Sequence, residues 1–254
     1  MLFKPSYLRY GCVDSTNNLA MQFAKKGAAE GTVITALMQT SGKGRRGRAW
    51  WDCIGKSLLM SIIVRPDIDH NRLYELSFAA GLAGVLVLEE RLKLKPSFKW
   101  PNDIYIGNKK IGGVLIEAEN SLQGSAVIIG IGINLNQSSF PDELENIATS
   151  AKIEGCLETN IDIMCEAIAE KFGILYNLCL DNKFCSEILP ICREKLWGKG
   201  KLVIVDNESE SICGVIKDID EDGKLLLATD SDLISVYSAD TICFNSDTKQ
   251  QEEK

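Results

Sequence analysis

Histidine is almost absent from this 254-residue chain, which contains only His70. A catalytic triad or a metal centre with several histidines would have to be built on that single residue, so both are disfavoured. The nine cysteines are an odd number, and no two of them form a Cys-x-x-Cys pair. Several, such as Cys165 and Cys179, lie in apolar patterns of helical spacing. We therefore expect reduced core cysteines rather than a disulfide framework.

Long apolar runs and an excess of positive charge are also missing. No stretch is apolar for long enough to span a membrane, and the amino terminus lacks the features of a secretory signal. The formal net charge is -7, whereas proteins that bind nucleic acid usually carry a basic balance or a basic face. With 45% hydrophobic and 25% charged residues, the composition indicates a globular protein. We expect it to be cytoplasmic and to bind neither DNA nor membranes.

The larger part of the chain mixes helix and strand patterns. Polar residues from Asp14 to Asn17 can cap a short helix that ends near Gly27, and helical periodicity predicts longer helices at 73–92 and 161–180. Apolar and β-branched runs between turn signals predict sheet strands at 32–38, 58–64, 103–105, 111–118 and 126–135.

A different pattern follows Gly198-Lys199-Gly200. Five short strands are predicted at 202–205, 211–216, 224–228, 233–237 and 241–244, with a turn at Asp222-Gly223. Short strands at this spacing are typical of a small β-barrel. We therefore divide the chain into a main domain, residues 1–196, and a small barrel domain, residues 197–254, which ends in a polar tail.

A glycine- and arginine-rich loop, GKGRRGR at residues 42–48, lies between the first two predicted apolar strands. Its three glycines allow the backbone to approach a ligand closely, and its four basic side chains can bond phosphate or carboxylate oxygens. Short basic runs are commonly only surface or targeting patches. The position between two strands, followed by Ala49-Trp50-Trp51, favours an anion-binding loop beside an aromatic surface.

Two further clusters carry polar residues at strand ends. KWPND, residues 99–103, combines a lysine, an amide and a carboxylate, which could bind a triphosphate and Mg²⁺ or simply form a solvated hairpin. Lys110 could reach a carboxylate or acyl phosphate, or only extend to solvent. In GIGINLN, residues 130–136, Asn134 could bond ribose or phosphate, although the cluster does not match the Gly-x-Gly-x-x-Gly fingerprint.

Together and in this order, the three clusters resemble the biotin protein ligases, also called biotin-[acetyl-CoA-carboxylase] ligases. The resemblance runs from Ser15-Thr16-Asn17 through Gln39, GKGRRGRAW, KWPNDIYIGNKKIGGVLIE and GIGINLN into the small carboxy-terminal domain. It implies an α+β fold, a class II synthetase-like mixed sheet with helices packed on one side, followed by a Src-homology-3-like β-barrel. It also implies an enzyme that uses ATP and Mg²⁺ to make biotinyl-5′-AMP, and then transfers biotin to a lysine of a biotin carboxyl carrier protein of acetyl-CoA carboxylase.

The resemblance also assigns roles to individual residues. It implies that Lys110 is the first candidate for catalysis, with Arg45 and Arg48 beside it. The biotin-binding residues that it implies are Ser15, Thr16, Asn17, Gln39, Gly42, Lys43, Gly44, Arg45, Lys110 and Gly113. The ATP-binding residues that it implies are Arg46, Arg48, Trp50, Lys99, Asn102, Asp103 and Asn134, with Trp50 covering the adenine and Asp103 as a metal ligand. We expect the loop at 42–48 to be mobile without ligand and to close over the adenylate.

Two features depart from the family pattern. Lys43 stands where many relatives carry arginine, which keeps the charge but loses the bidentate fork. Only 14 residues precede Ser15, too few for the helix-turn-helix domain of repressor-type members, so we expect no DNA regulation. A homodimer is possible, because relatives often associate through their sheets. Two alternatives stay open: a lipoate or octanoyl ligase or transferase of the same superfamily, and a non-catalytic biotin-binding regulator.

Overall fold

The computed structural model describes residues 3–121, 124–206 and 210–244, and the larger of its two sheets is a seven-stranded main sheet. The strands of this sheet are β1 Ser6–Val13, β2 Thr32–Gln39, β3 Ser57–Val64, β4 Pro96–Lys99, β5 Asp103–Ile106, β6 Lys109–Ser121 and β7 Gly124–Asn134. They lie in the order β1-β2-β3-β7-β6-β5-β4. β1 is parallel to β2, and the other neighbours are antiparallel.

Helices cover both faces of the main sheet. They are α1 Thr16–Lys25, α2 Tyr74–Leu92, α3 Asp142–Glu145, α4 Ile161–Leu180 and α5 Leu189–Glu194. The long helices α2 and α4 share one large core with Leu58, Met60 and Ile62 of β3. α1 buries Ala20 and Ala24 against Ile63 and neighbouring strand residues, which point to the opposite face. The expectation of helices on one side therefore holds for the long helices, whereas α1 lies on the other face.

The carboxy-terminal part forms a second, antiparallel sheet. Its strands are β8 Leu202–Asp206, β9 Ser211–Ile219, β10 Leu225–Ala228, β11 Leu233–Val236 and β12 Thr241–Phe244, in the order β11-β10-β9-β8-β12. Their inward side chains, including Val203, Ile216 and Leu225, are buried. The predicted combination of a mixed sheet with helices and a small all-β part is confirmed.

Side chains of the main sheet's helices and loops reach directly into the second sheet. Trp100 donates its indole N–H to the Gly223 carbonyl at 2.7 Å, and Tyr74 donates its hydroxyl to the Glu221 carbonyl at 3.1 Å. Arg193 donates to the Ile219 carbonyl at 2.7 Å. The turn predicted at Asp222-Gly223 is therefore a contact point between the two parts.

Most predicted elements match the structure to within a few residues, and the helix predicted at 161–180 is confirmed. The edge strands β1 and β4 were not predicted. β1 has an irregular exposure pattern and includes Gly11, and β4 has four residues and begins with proline, which occurs at sheet edges. The boundary at Trp197 stays a prediction, and residues 245–254 of the polar tail lie outside the described residues.

The cysteine prediction is correct for some residues and wrong for others. Cys165, Cys179 and Cys192 are free and buried. Four others, Cys12, Cys53, Cys185 and Cys213, are free and exposed, so they are not core residues. In the part of the chain that the structure describes, no helix is both long and apolar enough to cross a membrane.

Candidate active site

A cavity of about 670 Å³ opens on the face of the main sheet that α1 also covers. Its floor is formed where β3, β6 and β7 lie side by side, because Leu59, Leu115, Gly130 and Gly132 all line it. Each predicted site residue except Gly42 lines this cavity: Ser15, Thr16, Asn17, Gln39, Lys43, Gly44, Arg45, Arg46, Arg48, Trp50, Lys99, Asn102, Asp103, Lys110, Gly113 and Asn134. The fold therefore brings three separate sequence clusters to one place.

The start of α1 and the end of β2 form an uncharged, hydrogen-bonding part of the cavity. The amide oxygen of Gln39 accepts from the Thr16 backbone N–H at 2.7 Å and lies 3.0 Å from the Thr16 hydroxyl. Gln39 is held in turn by Asp52, whose carboxylate accepts the Gln39 backbone N–H at 2.9 Å. Burial raises the pKa of Asp52 above its ordinary value. Ser15 precedes the helix and is buried, but its side chain makes no cap bond.

Asn17 lies between two residues that the sequence did not single out for the site. Its side-chain oxygen accepts from the Ser61 hydroxyl at 2.6 Å, and its side-chain nitrogen donates to the Glu117 carboxylate at 2.7 Å. Ser61 is a polar residue inside β3, which is buried along its whole length. A polar residue in so apolar a strand requires a partner, and that requirement is the signal that could have identified Ser61.

The glycine- and arginine-rich loop is a compact turn with connections to both sheets. Gly44 donates its backbone N–H to the Arg48 carbonyl at 2.7 Å, and Trp50 donates to the Gly42 carbonyl at 2.9 Å. Arg45 reaches the Asn102 side-chain oxygen at 2.9 Å. Arg46 pairs with Asp240, just before β12. Gly42 does not line the cavity but fixes the position of Trp50.

Lys110 and Asp103 form the charged centre of the cavity. The Lys110 ammonium lies 2.7 Å from the Asp103 carboxylate, and both side chains are partly exposed. A Cβ atom at position 113 would lie 3.0 Å from that carboxylate and 3.1 Å from the ammonium, so Gly113 leaves room for the pair. Burial lowers the pKa of Arg45, and the Asp103 charge opposes this shift. Arginine nevertheless stays charged in proteins.

Lys99 is half-buried at the junction of the two sheets. Its ammonium donates to the Tyr105 hydroxyl at 3.0 Å and to the Ile242 carbonyl at 2.7 Å. It also lies over the rings of Tyr105 and Trp197, 4.2 and 4.4 Å from their centroids. Burial lowers the pKa of Lys99 to about 8. This lysine therefore can lose its charge within the working range of many enzymes.

Aromatic and apolar side chains line another part of the cavity. The Trp50 ring lies so close to β7 that a Cβ atom at position 132 would be 2.8 Å from two of its ring atoms. Trp51 packs on Phe140, with 5.3 Å between ring centroids. Phe140, Leu144 and Ile147 also line the cavity. A planar aromatic ligand, such as a purine, matches this surface.

Comparison with known proteins relates both parts of the chain to one family. Residues 10–134 match the Biotin/lipoate A/B protein ligase family, and residues 200–242 match the Biotin protein ligase C terminal domain. The Bifunctional ligase/repressor BirA of Bacillus subtilis is 35% identical over 245 residues, which are 90% of this chain and 71% of that protein. This chain belongs to the biotin protein ligase family. The two matched regions correspond to the two sheets.

Further relatives of this biotin protein ligase family member agree with that assignment. The Biotin--[acetyl-CoA-carboxylase] ligase of Mycobacterium tuberculosis is 26% identical over 90% of this chain and 85% of its own length. The solved structure of the biotin protein ligase from Aquifex aeolicus in complex with biotin and ATP superimposes with a TM-score of 0.85. It is 27% identical and covers 96% of this chain and 100% of its own.

Asn134 differs from the other predicted ligand-binding residues of this family member. Its side-chain nitrogen donates to the Thr149 carbonyl at 3.0 Å, and its oxygen accepts from Gln137 at 3.0 Å. It is 4% exposed. These bonds join the end of β7 to the segment around residue 149, so the structure gives Asn134 a supporting role, and its contact with nucleotide stays a prediction.

Proposed function

We propose that this protein activates biotin with ATP, forming biotinyl-5′-AMP and pyrophosphate, and then transfers biotin to a lysine of a biotin carboxyl carrier protein. The observation that carries the proposal is one cavity that contains uncharged hydrogen-bonding residues, a cluster of cations and an aromatic wall. These surfaces match a ureido group, a carboxylate with phosphates, and an adenine. The names of relatives that are biotin ligases, and of the Aquifex aeolicus complex with biotin and ATP, support it.

The cations address the main obstacle of the first step. A biotin carboxylate must approach the α-phosphate of ATP, and both groups are anions. Lys110 and Arg45 supply fixed positive charges in the cavity, with Arg48 exposed at its edge. Donors that are already positioned stabilise the charge on the phosphoryl oxygens without reorganisation during the reaction. The step forms the acyl phosphate bond and releases pyrophosphate.

Magnesium would enter this site with ATP. Among the described residues, no group of three or more His, Cys, Asp or Glu side chains could hold a metal ion. Mg²⁺ bound to a nucleotide commonly uses one or two protein carboxylates plus phosphate oxygens and water. Asp103 is the carboxylate that lines the cavity beside Lys110, and it fits this role if its pair with Lys110 opens.

In the second step, the amine of the carrier lysine attacks the acyl carbon, an amide bond forms, and AMP leaves. The acyl adenylate also reacts with water, so the loop at 42–48 would protect it by covering the cavity. Arg45 is held against the main sheet through Asn102, and Arg46 is held against the second sheet through Asp240. The loop thus connects both parts of the protein over the site.

Pyrophosphate release with competing acids tests the proposed substrate. We expect the purified protein with ATP and Mg²⁺ to release pyrophosphate with biotin and not with lipoate, because Thr16, Asn17 and Gln39 offer hydrogen bonds that the lipoyl ring cannot use. Activation of lipoate alone would overturn the proposal. Transfer is then measured as biotin bound covalently to a purified carrier domain. The same domain with its target lysine changed to arginine is the control and should remain unlabelled.

The pKa of Lys99 predicts a pH dependence of ATP use. The Lys99 cation is present below about pH 8 and is lost above it. We therefore expect kcat/KM for ATP, which reports groups of the free enzyme, to fall as the pH rises from about 7 to about 9. Lys99→Arg keeps its charge throughout this range and should abolish the fall. An unchanged inflection in that variant would mean that another group titrates.

A further inference from the structure

Lys110 lies where the main sheet is irregular on both sides. Where β5 pairs with β6, the register shifts between Ile104 and Tyr105, and Tyr105 pairs with Lys110. Such a shift is typical of a β-bulge, which changes the direction of a side chain. On the other side, the ladder between β6 and β7 begins at Gly112 and stops short of Lys110. The backbone of Lys110 therefore depends on contacts outside the regular sheet.

A short segment after α3, residues 147–149, takes the place of β7 beside Lys110. The Lys110 backbone N–H donates to the Ile147 carbonyl at 2.8 Å, and the Thr149 N–H donates to the Lys110 carbonyl at 2.9 Å. These two bonds form a parallel bridge between Lys110 and Ala148. Because both backbone polar groups of Lys110 are held by this segment, its position sets the direction of the Lys110 side chain.

Asn134 ties the segment to the end of β7. Its side-chain nitrogen donates to the Thr149 carbonyl at 3.0 Å. Because a carbonyl can only accept, the Asn134 nitrogen must face it, and the Asn134 oxygen faces Gln137. The Gln137 side-chain nitrogen donates to that oxygen at 3.0 Å and to the Ser57 hydroxyl at 2.6 Å. The bonds thus run in one direction, from Gln137 through Asn134 to Thr149.

These polar groups are shielded from water. Gln137 is 2% exposed, and Thr149 is fully buried. Removal of one partner in such a place leaves the other unsatisfied, which costs more than the loss of an exposed bond. Gln137 and Thr149 do not line the cavity, whereas Lys110 and Asn134 do. A change at Gln137 therefore reaches the reacting groups only through the residues that it holds.

We infer that Gln137 is a positioning residue for the adenylation step, which holds the Lys110 backbone in place through Asn134 and Thr149. The inference rests on the proposed function and extends it to a residue that the sequence did not single out. In that function Lys110 must lie close to two reacting anions, and a misplacement of about 1 Å costs about 100-fold in rate. Gln137 thus contributes to the rate without touching biotin or ATP.

Replacement of Gln137 by an apolar side chain of similar shape tests this role. Gln137→Met removes the donor to Asn134, and we expect the single-turnover rate of biotinyl-5′-AMP formation to fall about tenfold, the effect of losing one buried hydrogen bond. Thr16 and Gln39 are held by each other and by Asp52 rather than by this network. Biotin affinity, measured by calorimetry without ATP, should therefore stay within about threefold of that of the parent.

Asn136→Leu is the matched control. Asn136 is the residue before Gln137, is 4% exposed, and bonds the Thr159 carbonyl at 2.8 Å and the Thr159 N–H at 2.9 Å. The variant loses two hydrogen bonds, as Gln137→Met does, but these bonds hold the segment before α4 instead of the segment beside Lys110. Both variants should unfold at a lower temperature than the parent, whereas the rate in Asn136→Leu should stay within about twofold.

A double-mutant cycle with Lys110→Ala identifies the group through which Gln137 acts. Gln137→Met should change the rate of the Lys110→Ala protein by less than about twofold, because the group that it positions is already missing. If Asn134 instead acted on the nucleotide directly, the two effects would multiply. Should Gln137→Met fail to fold, Ser57→Ala replaces it in the cycle. Ser57→Ala removes one acceptor of the Gln137 nitrogen and should slow the parent about threefold and leave the Lys110→Ala rate unchanged.

Two results would overturn the inference. One is a rate in Gln137→Met that equals the rate in Asn136→Leu. The other is an effect of the Gln137 or Ser57 change that is equally large in the parent and in the Lys110→Ala protein. Both are distinct from failure of the proposed function, in which the unmodified protein itself would not form biotinyl-5′-AMP.

Discussion

Lys110→Ala should lower the rate of biotinyl-5′-AMP formation by about 10²- to 10³-fold, the usual effect of removing one fixed donor to developing charge. The change removes a cation that lies 2.7 Å from Asp103. It also leaves the Asp103 carboxylate uncompensated in a cavity that must accept a carboxylate and a triphosphate, so repulsion adds to the lost attraction. Single-turnover release of pyrophosphate measures this step without the transfer that follows.

The neighbouring lysine provides a matched control for Lys110. Lys109 donates to the Glu145 carbonyl at 2.9 Å and does not line the cavity. Lys109→Ala removes the same charge from the same strand and should leave the single-turnover rate within about twofold, as surface substitutions usually do. Equal rates in the two alanine variants would show that Lys110 acts only through the net charge of the protein.

Arg45→Gly should release the reactive adenylate into solution. Arg45 ties the loop to Asn102 at 2.9 Å, and its loss removes a charge-assisted bond and adds backbone freedom to a loop that already contains three glycines. We expect dissociation of the adenylate to accelerate roughly tenfold or more, which corresponds to the loss of one such bond. Biotin should then appear on surface lysines of an unrelated bystander protein.

Arg45→Lys separates the contribution of charge from that of geometry. It keeps the cation but loses the planar fork that can bond two oxygens. Labelling of the bystander protein should lie between that of the parent and that of Arg45→Gly. A glycine variant that retains the adenylate as long as the parent would contradict the role of this loop as a lid.

The residues that carry the chemistry of the site were easier to predict from the sequence than the contacts that hold them in place. GKGRRGR, KWPND and Lys110 are recognisable because charged and glycine-rich groups stand between apolar strands, and the fold brings them to one cavity. The sequence did not indicate that Arg46 pairs with Asp240, 194 positions away, or that Lys99 bonds the Ile242 carbonyl. Such pairs depend on how the two sheets dock, and no local pattern encodes that arrangement.

Ser61 and Glu117, which hydrogen-bond to Asn17, were missed for a related reason. Ser61 belongs to an otherwise apolar strand, and Glu117 ends an apolar run, so each reads locally as part of a strand. Their hydrogen bonds to Asn17 form only because β3 and β6 lie on either side of β7 and both residues reach α1. The edge strands β1 and β4 were missed because they are short or irregular and are exposed along one side. Alternation and length, the usual signals of a strand, are weak in both.

The proposed activity is tested most directly by following radiolabelled biotin in the absence and in the presence of a carrier domain. With ATP and Mg²⁺ alone, the purified protein should accumulate a stoichiometric, non-covalent complex with biotinyl-5′-AMP. Addition of a biotin carboxyl carrier domain should convert that label to carrier-bound biotin with release of AMP. Biotin that binds the protein but never forms an adenylate would contradict the assignment of this cavity as an active site.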